Sequence, residues 1–101
     1  MAQNRVVEGR EGKSSLNHIV MEQTYYLLYI NLEFGDSSDY SRHLYSDLNL
    51  AKINMSRQLL EAKRHFTGAG RMVSDLPMCQ AWVGEEGRSY AIGIHEIELE
   101  N

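Results

Sequence analysis

The chain has 101 residues, 43% of them hydrophobic and 24% charged, which fits one folded domain and excludes two, as well as a disordered or low-complexity chain. Ten Lys and Arg against fourteen Asp and Glu give a formal net charge of -4, so no global field draws it toward phosphate backbones. No apolar run approaches the ~18 residues of a membrane span.

The first fifteen residues are polar and lack the apolar core of a signal peptide, so the expected location is the cytoplasm. Residues 1–18 read as an N-terminal arm, loose or forming a short edge strand around Arg5-Val6-Val7-Glu8, ahead of a single domain over 19–101. From Gln23 to Phe34 the alternation is that of a strand. Tyr26, Leu28, Ile30, Leu32 and Phe34 share one apolar face; Tyr25, Leu27, Tyr29, Asn31 and Glu33 share the other. Gly35-Asp36-Ser37-Ser38-Asp39 reads as the turn that ends it.

Tyr40, Leu44, Leu48, Ala51, Met55, Leu59, Ala62 and Phe66 then step by three or four and predict an amphipathic helix over Asp39–Phe66. Ser37 or Ser38 would cap it, and Lys63, Arg64 and His65 suit the negative end of its dipole. Arg71–Pro77 reads as a connector, Met78–Val83 as a strand, and Gly84–Gly87 as a hairpin loop whose end glycines supply unusual backbone angles. Arg88–Leu99 is the return strand. Its apolar parity switches between Tyr90, Ile92, Ile94 and Ile97, Leu99, which calls for a bulge near His95 or a second packing environment. The expected fold is α+β: a two-layer sandwich, order β-α-β-β, with one long helix on a small, mostly antiparallel sheet.

Little points to catalysis. His18, His43, His65 and His95 show no metal-ligand spacing, and no Gly-x-Ser-x-Gly elbow or phosphate-binding glycine loop occurs. The single cysteine, Cys79, excludes an internal disulfide and reads as a small buried residue. No catalytic, cofactor-binding or metal-binding residue is assigned, and the chain is read as a non-enzyme.

The apolar surplus is more informative. On the predicted helix Tyr45, Ile53 and Leu60 lie away from the main stripe, and Tyr25, Leu27 and Tyr29 lie on the back of the first strand. One sheet covers one helix face, so these residues mark a protein interface or a homodimer contact, unless residues 1–22 cover them. Glu85 and Glu86, with Glu96, Glu98 and Glu100, would form an acidic docking rim if the hairpin tip and the C-terminal strand end were adjacent. The leading expectation is a small acidic binding or regulatory protein that occupies another protein's surface. Its size and charge are those of immunity proteins and of inhibitors carried by phages and mobile elements, an analogy and no more. The alternative is a nucleic-acid-associated protein using the basic residues Lys52, Arg57, Lys63, Arg64 and Arg71.

Overall fold

A computed structural model describes residues 22–100 of the chain. The N-terminal arm and the edge strand at Arg5–Glu8 lie outside these residues. The elements in chain order are β1 (Glu22–Phe34), β2 (Ser38–Tyr45), α1 (Leu48–His65), β3 (Gly70–Leu76), β4 (Cys79–Gly84) and β5 (Arg88–Glu100). The strands form one five-stranded sheet in the order β2-β1-β5-β4-β3, with every neighbouring pair antiparallel.

This overturns the expected fold class. The sheet is the dominant structure and is not small, and the order is β-β-α-β-β-β in place of β-α-β-β. The error began in the predicted helix over Asp39–Phe66. Its first seven residues belong to strand β2, and the helix itself is 18 residues long. Tyr40 and Leu44 are four apart, a spacing that fits one helical turn and equally two strand alternations. In the sheet Tyr40, Arg42 and Leu44 share one face and Asp39, Ser41, His43 and Tyr45 the other. The helix starts where Asp47 caps it: the carboxylate accepts a 2.8 Å hydrogen bond from the Asn49 backbone N–H. Ser37 and Ser38, proposed as caps, belong to the β1–β2 turn and the start of β2.

Two further expectations fall. The connector over Arg71–Pro77 is mostly strand β3, an edge strand that stops before Pro77, so the missing proline N–H disturbs no ladder. Of the two readings of β5, the bulge near His95 falls and the second packing environment holds: β1 and β5 pair without interruption from Glu22↔Glu100 to Phe34↔Arg88. The parity switch is real, and it places Ile97 and Leu99 on the opposite face from Ile92 and Ile94. The sheet's irregularity lies between Met72 and Ser74 of β3.

The helix connects β2 and β3, the two edges of the sheet, and so crosses one face from edge to edge. Ala51, Met55, Ala62 and, just past its end, Phe66 are buried against Leu28 and Ile30 of β1 and Tyr90, Ile92 and Ile94 of β5. At the C-terminal end of the helix Phe66 stacks on Phe34 with ring centroids 5.2 Å apart, and meets Tyr90 and Trp82 edge-on at 5.7 and 6.1 Å. Gly84 supplies no unusual backbone angle. A Cβ there would sit 2.2 Å from the Trp82 indole, so glycine serves to seat that ring; Glu86 and Gly87 take the positive φ values of the loop, 60° and 75°.

Beyond the reach of β2 and β4, β1 and β5 continue as a two-stranded ribbon. β2 pairs as far as Tyr26 and β4 as far as Gly93, while β1 and β5 stay paired to Glu22 and Glu100. Among the described residues no helix is long and apolar enough to cross a membrane.

Candidate protein-contact surface on the open sheet face

The register places every odd-numbered residue of β1 on the face away from the helix. Leu27 lies between Leu44 of β2 and His95 of β5; Tyr29 lies between Arg42 and Gly93; Asn31 lies between Tyr40 and Ala91. The row through Gly93 continues to Cys79 and Leu76, and the row through Ala91 to Ala81 and Ser74. On the ribbon Tyr25 pairs with Ile97 and Gln23 with Leu99. No described element covers this face. Tyr40, Leu44 and Leu76 are 59%, 57% and 60% exposed, and Val83 and Leu99 are exposed as well. Large apolar side chains together on an uncovered sheet face are the composition of a contact surface.

Its centre is ordered by Tyr29. The ring lies across Gly93, where a Cβ would sit 2.5 Å from the phenol oxygen, so only glycine permits the crossing. Tyr29 stacks on His95 at 4.9 Å between centroids, Arg42 sits over its ring at 5.7 Å, and its hydroxyl donates to the Cys79 sulfur at 3.4 Å. Burial, helped by the hydrogen bond to Cys79, pushes the Tyr29 phenol up from 10.0 to about 12, and Arg42 opposes the shift. The Ser74 hydroxyl also reaches the Cys79 sulfur, at 3.4 Å. These two hydrogen bonds, that from Ser74 first, hold the Cys79 thiol below its ordinary range against the effect of partial burial. Cys79 is therefore half-buried in a polar pair of contacts, not the inert core residue expected of it.

The charges on this face are few, and Arg42 and Glu33 are already engaged. Arg42 donates to the Asn31 side-chain oxygen and to the Ser41 carbonyl, both at 2.8 Å, and the Tyr40 hydroxyl donates to Glu33. Arg71 lies here too, opposite Val83 at the far edge.

The structure brings some of the expected residues together and separates others. Tyr25, Leu27 and Tyr29 stand side by side on the open face, where Tyr40, Leu44, Ile97 and Leu99 join them. Tyr45 is not on the helix; it ends β2, pairs with Tyr26 and packs against the core, which breaks the predicted strip with Ile53 and Leu60. Ile53 and Leu60 stay on the outer side of α1, 51% and 61% exposed. Glu85 and Glu86 lie at the β4–β5 tip, while Glu96 and Glu98 lie toward the other end of β5, roughly 30 Å away at about 3.4 Å per residue, so no acidic rim forms. The basic group is divided as well. Lys52, Arg57, Lys63 and Arg64 are exposed on α1, and Arg64 pairs with Glu61 at 3.6 Å; Arg71 is on the opposite side of the sheet. Four of the five basic residues thus stay on the helix, and only Arg71 is separated from them.

Among the described residues no group of three His, Cys, Asp or Glu side chains could hold a metal ion. Compared with protein families, curated proteins and solved structures, the chain finds no match in any of the three.

Proposed function

We propose that this is a binding protein that acts by placing the open face of its sheet on a protein surface, with no chemistry of its own. The observation that carries the reading is the row of large apolar side chains at Tyr25, Leu27, Leu44, Ile97 and Leu99 on a face no described element covers. An antiparallel sheet with one face on a core ordinarily turns polar residues to water on the other. Here the second face carries a comparable set of large apolar side chains, and the one cation near its centre, Arg42, is spent on the Tyr29 ring and the Asn31 side chain. The net charge of -4 resides elsewhere in the chain, which favours solubility without hindering an apolar contact.

The test is a photoreactive benzophenone side chain placed at position 44, with a control at Asp36 in the exposed β1–β2 turn. The expected result in living cells is a discrete cross-linked product from position 44 and none from position 36. Equal, diffuse labelling from both positions would contradict the reading.

A further inference from the structure

We infer that the outer face of α1 is a second docking surface, separate from the open sheet face, and that its occupant is an acidic amphipathic helix of another protein.

Position defines the face. At about 100° per residue, Leu50, Ile53, Arg57, Leu60 and Arg64 fall within about 80° of one another. They lie directly opposite Ala51, Met55 and Ala62, which are buried against the sheet. All five are exposed. Their steps are three, four, three and four, the spacing that keeps one seam turned toward a neighbouring helix. A helix lying on a core ordinarily turns charged and polar residues to water on this side. Here α1 turns three large apolar side chains outward, with two arginines interleaved, along about 21 Å of its axis.

Charge identifies the occupant. The seam carries two cations and no acid. Glu61, the one carboxylate of α1, stands at its flank, with Arg64 at 3.6 Å and His65 at 3.1 Å. A partner that covers Leu50, Ile53 and Leu60 also takes Arg57 and Arg64 out of water, and a guanidinium so placed needs a carboxylate. Seven residues separate the arginines, which sets them about 10 Å apart along the axis. A helix with two carboxylates seven residues apart on an otherwise apolar stripe meets both, in either chain direction. A seam of this length and one helix wide buries less than a standard interface, so the affinity expected is on the order of micromolar.

Other occupants fit less well. A second α1 brings two more arginines to the seam and no carboxylate, whatever its register. Helices that lie on a lipid surface carry their cations on the polar face, beside the apolar one. In α1 the arginines sit within the apolar stripe, and insertion would drive them toward hydrocarbon. A phosphate backbone calls for a continuous basic track. Lys52 and Lys63 lie roughly 120° around the helix from the arginines, with Ile53 and Leu60 between.

Fluorescence anisotropy tests the inference, with the purified full chain and two labelled, helix-stabilised peptides of about 21 residues, three heptads each. One carries leucine along its stripe with two glutamates seven residues apart; the other has lysine in place of both glutamates. The glutamate peptide is expected to bind, and the lysine peptide to bind at least about tenfold more weakly. Arg57→Glu combined with Arg64→Glu should reverse that preference, an exchange that a loss of packing alone would not produce. Ile53→Lys should weaken the glutamate peptide by about tenfold or more. Leu44→Lys, on the open sheet face, should leave its binding unchanged, so the two surfaces stand or fall separately. A thermal melt checks that each variant folds. No binding of the glutamate peptide, equal binding of the two peptides, or binding that survives the double reversal would overturn the inference. So would capture of the chain by phosphatidylserine vesicles or by mixed-sequence duplex DNA in preference to the glutamate peptide at about 0.15 M salt, which would assign the seam to a membrane or to nucleic acid.

Discussion

Leu27 and Leu28 are neighbours in one strand and have opposite surroundings. Leu28 is fully buried beneath α1, among Ile30, Ile92, Ile94 and Met55. Leu27 stands on the other face, between Leu44, which is 57% exposed, and His95. The comparison extends to the two faces as wholes. Both are apolar, but the helix closes one and no described element closes the other. A face is made a core by what covers it, and composition alone does not distinguish a covered face from one that awaits a partner. The same difference explains why β5 changes parity. Tyr90, Ile92 and Ile94 serve the helix-covered face, whereas Ile97 and Leu99, out on the ribbon, serve the open one.

Several substitutions should sharpen this contrast. The largest effect is expected at the centre of the covered face. Met55→Asp would bury an unpaired carboxylate in the core and should abolish the cooperative melt. Leu28→Ala should cost ~2–5 kcal/mol in chemical denaturation, as truncations of fully buried leucines do, whereas Leu44→Ala should change the stability of the dilute chain by no more than about 0.5 kcal/mol. Equal costs at positions 28 and 44 would mean that the open face is closed within a single chain.

A smaller loss is expected at Gly93. The added methyl of Gly93→Ala would meet both the Tyr29 hydroxyl and the Met78 carbonyl, so the ring must leave its place over the strand. Overpacking of this kind costs ~1–3 kcal/mol in a urea titration. It should also break the Tyr29–His95 stack, visible as a change in the His95 ring resonances. Asp47→Ala, which removes the cap of α1, should cost ~1 kcal/mol and leave the open face unaltered.

The gentlest probe is pH. Because the folded-state Tyr29 phenol is raised to about 12 from 10.0, the folded chain holds that proton more tightly than the unfolded chain does. Its contribution to stability is complete below pH 10 and is lost as pH rises toward 12. Tyr29→Phe should therefore flatten the alkaline decline in stability over that window. The Cys79 thiol is shifted the other way, downward, by Ser74 and Tyr29. Its alkylation should follow a pH profile below that of an ordinary cysteine, and Ser74→Ala should move that profile up.

Much of the covered face was legible in the sequence. The even-numbered residues of β1 and the helical stripe from Leu48 to Phe66 read correctly because each repeats often enough to fix its period. β2 did not, because Tyr40 and Leu44 satisfy both periods and continue the spacing of the true helical stripe that begins at Leu48. Asp47 was the missed sign: a capping side chain directly before Leu48 marks the helix start better than the serines upstream. Tyr25, Leu27 and Tyr29 of β1 are legible as an apolar surplus in the sequence. Their neighbours are not, since Leu44 and Tyr40 come next to Leu27 and Asn31 only through the β1–β2 hairpin. Ser74 and Tyr29 meet Cys79 through strand pairings that span 5 and 50 residues, which no local pattern announces.

Cys79 lies on the open face beside Tyr29 and reports directly on whether that face is covered. The deciding measurement is its rate of labelling by a bulky maleimide, taken inside cells producing the chain and again on the purified chain at high dilution. Labelling is expected to be slow in the cell and fast on dilution, and Leu44→Lys should be fast in both. Wild-type labelling as fast in the cell as on dilution would contradict the central claim that the open face is a protein-contact surface.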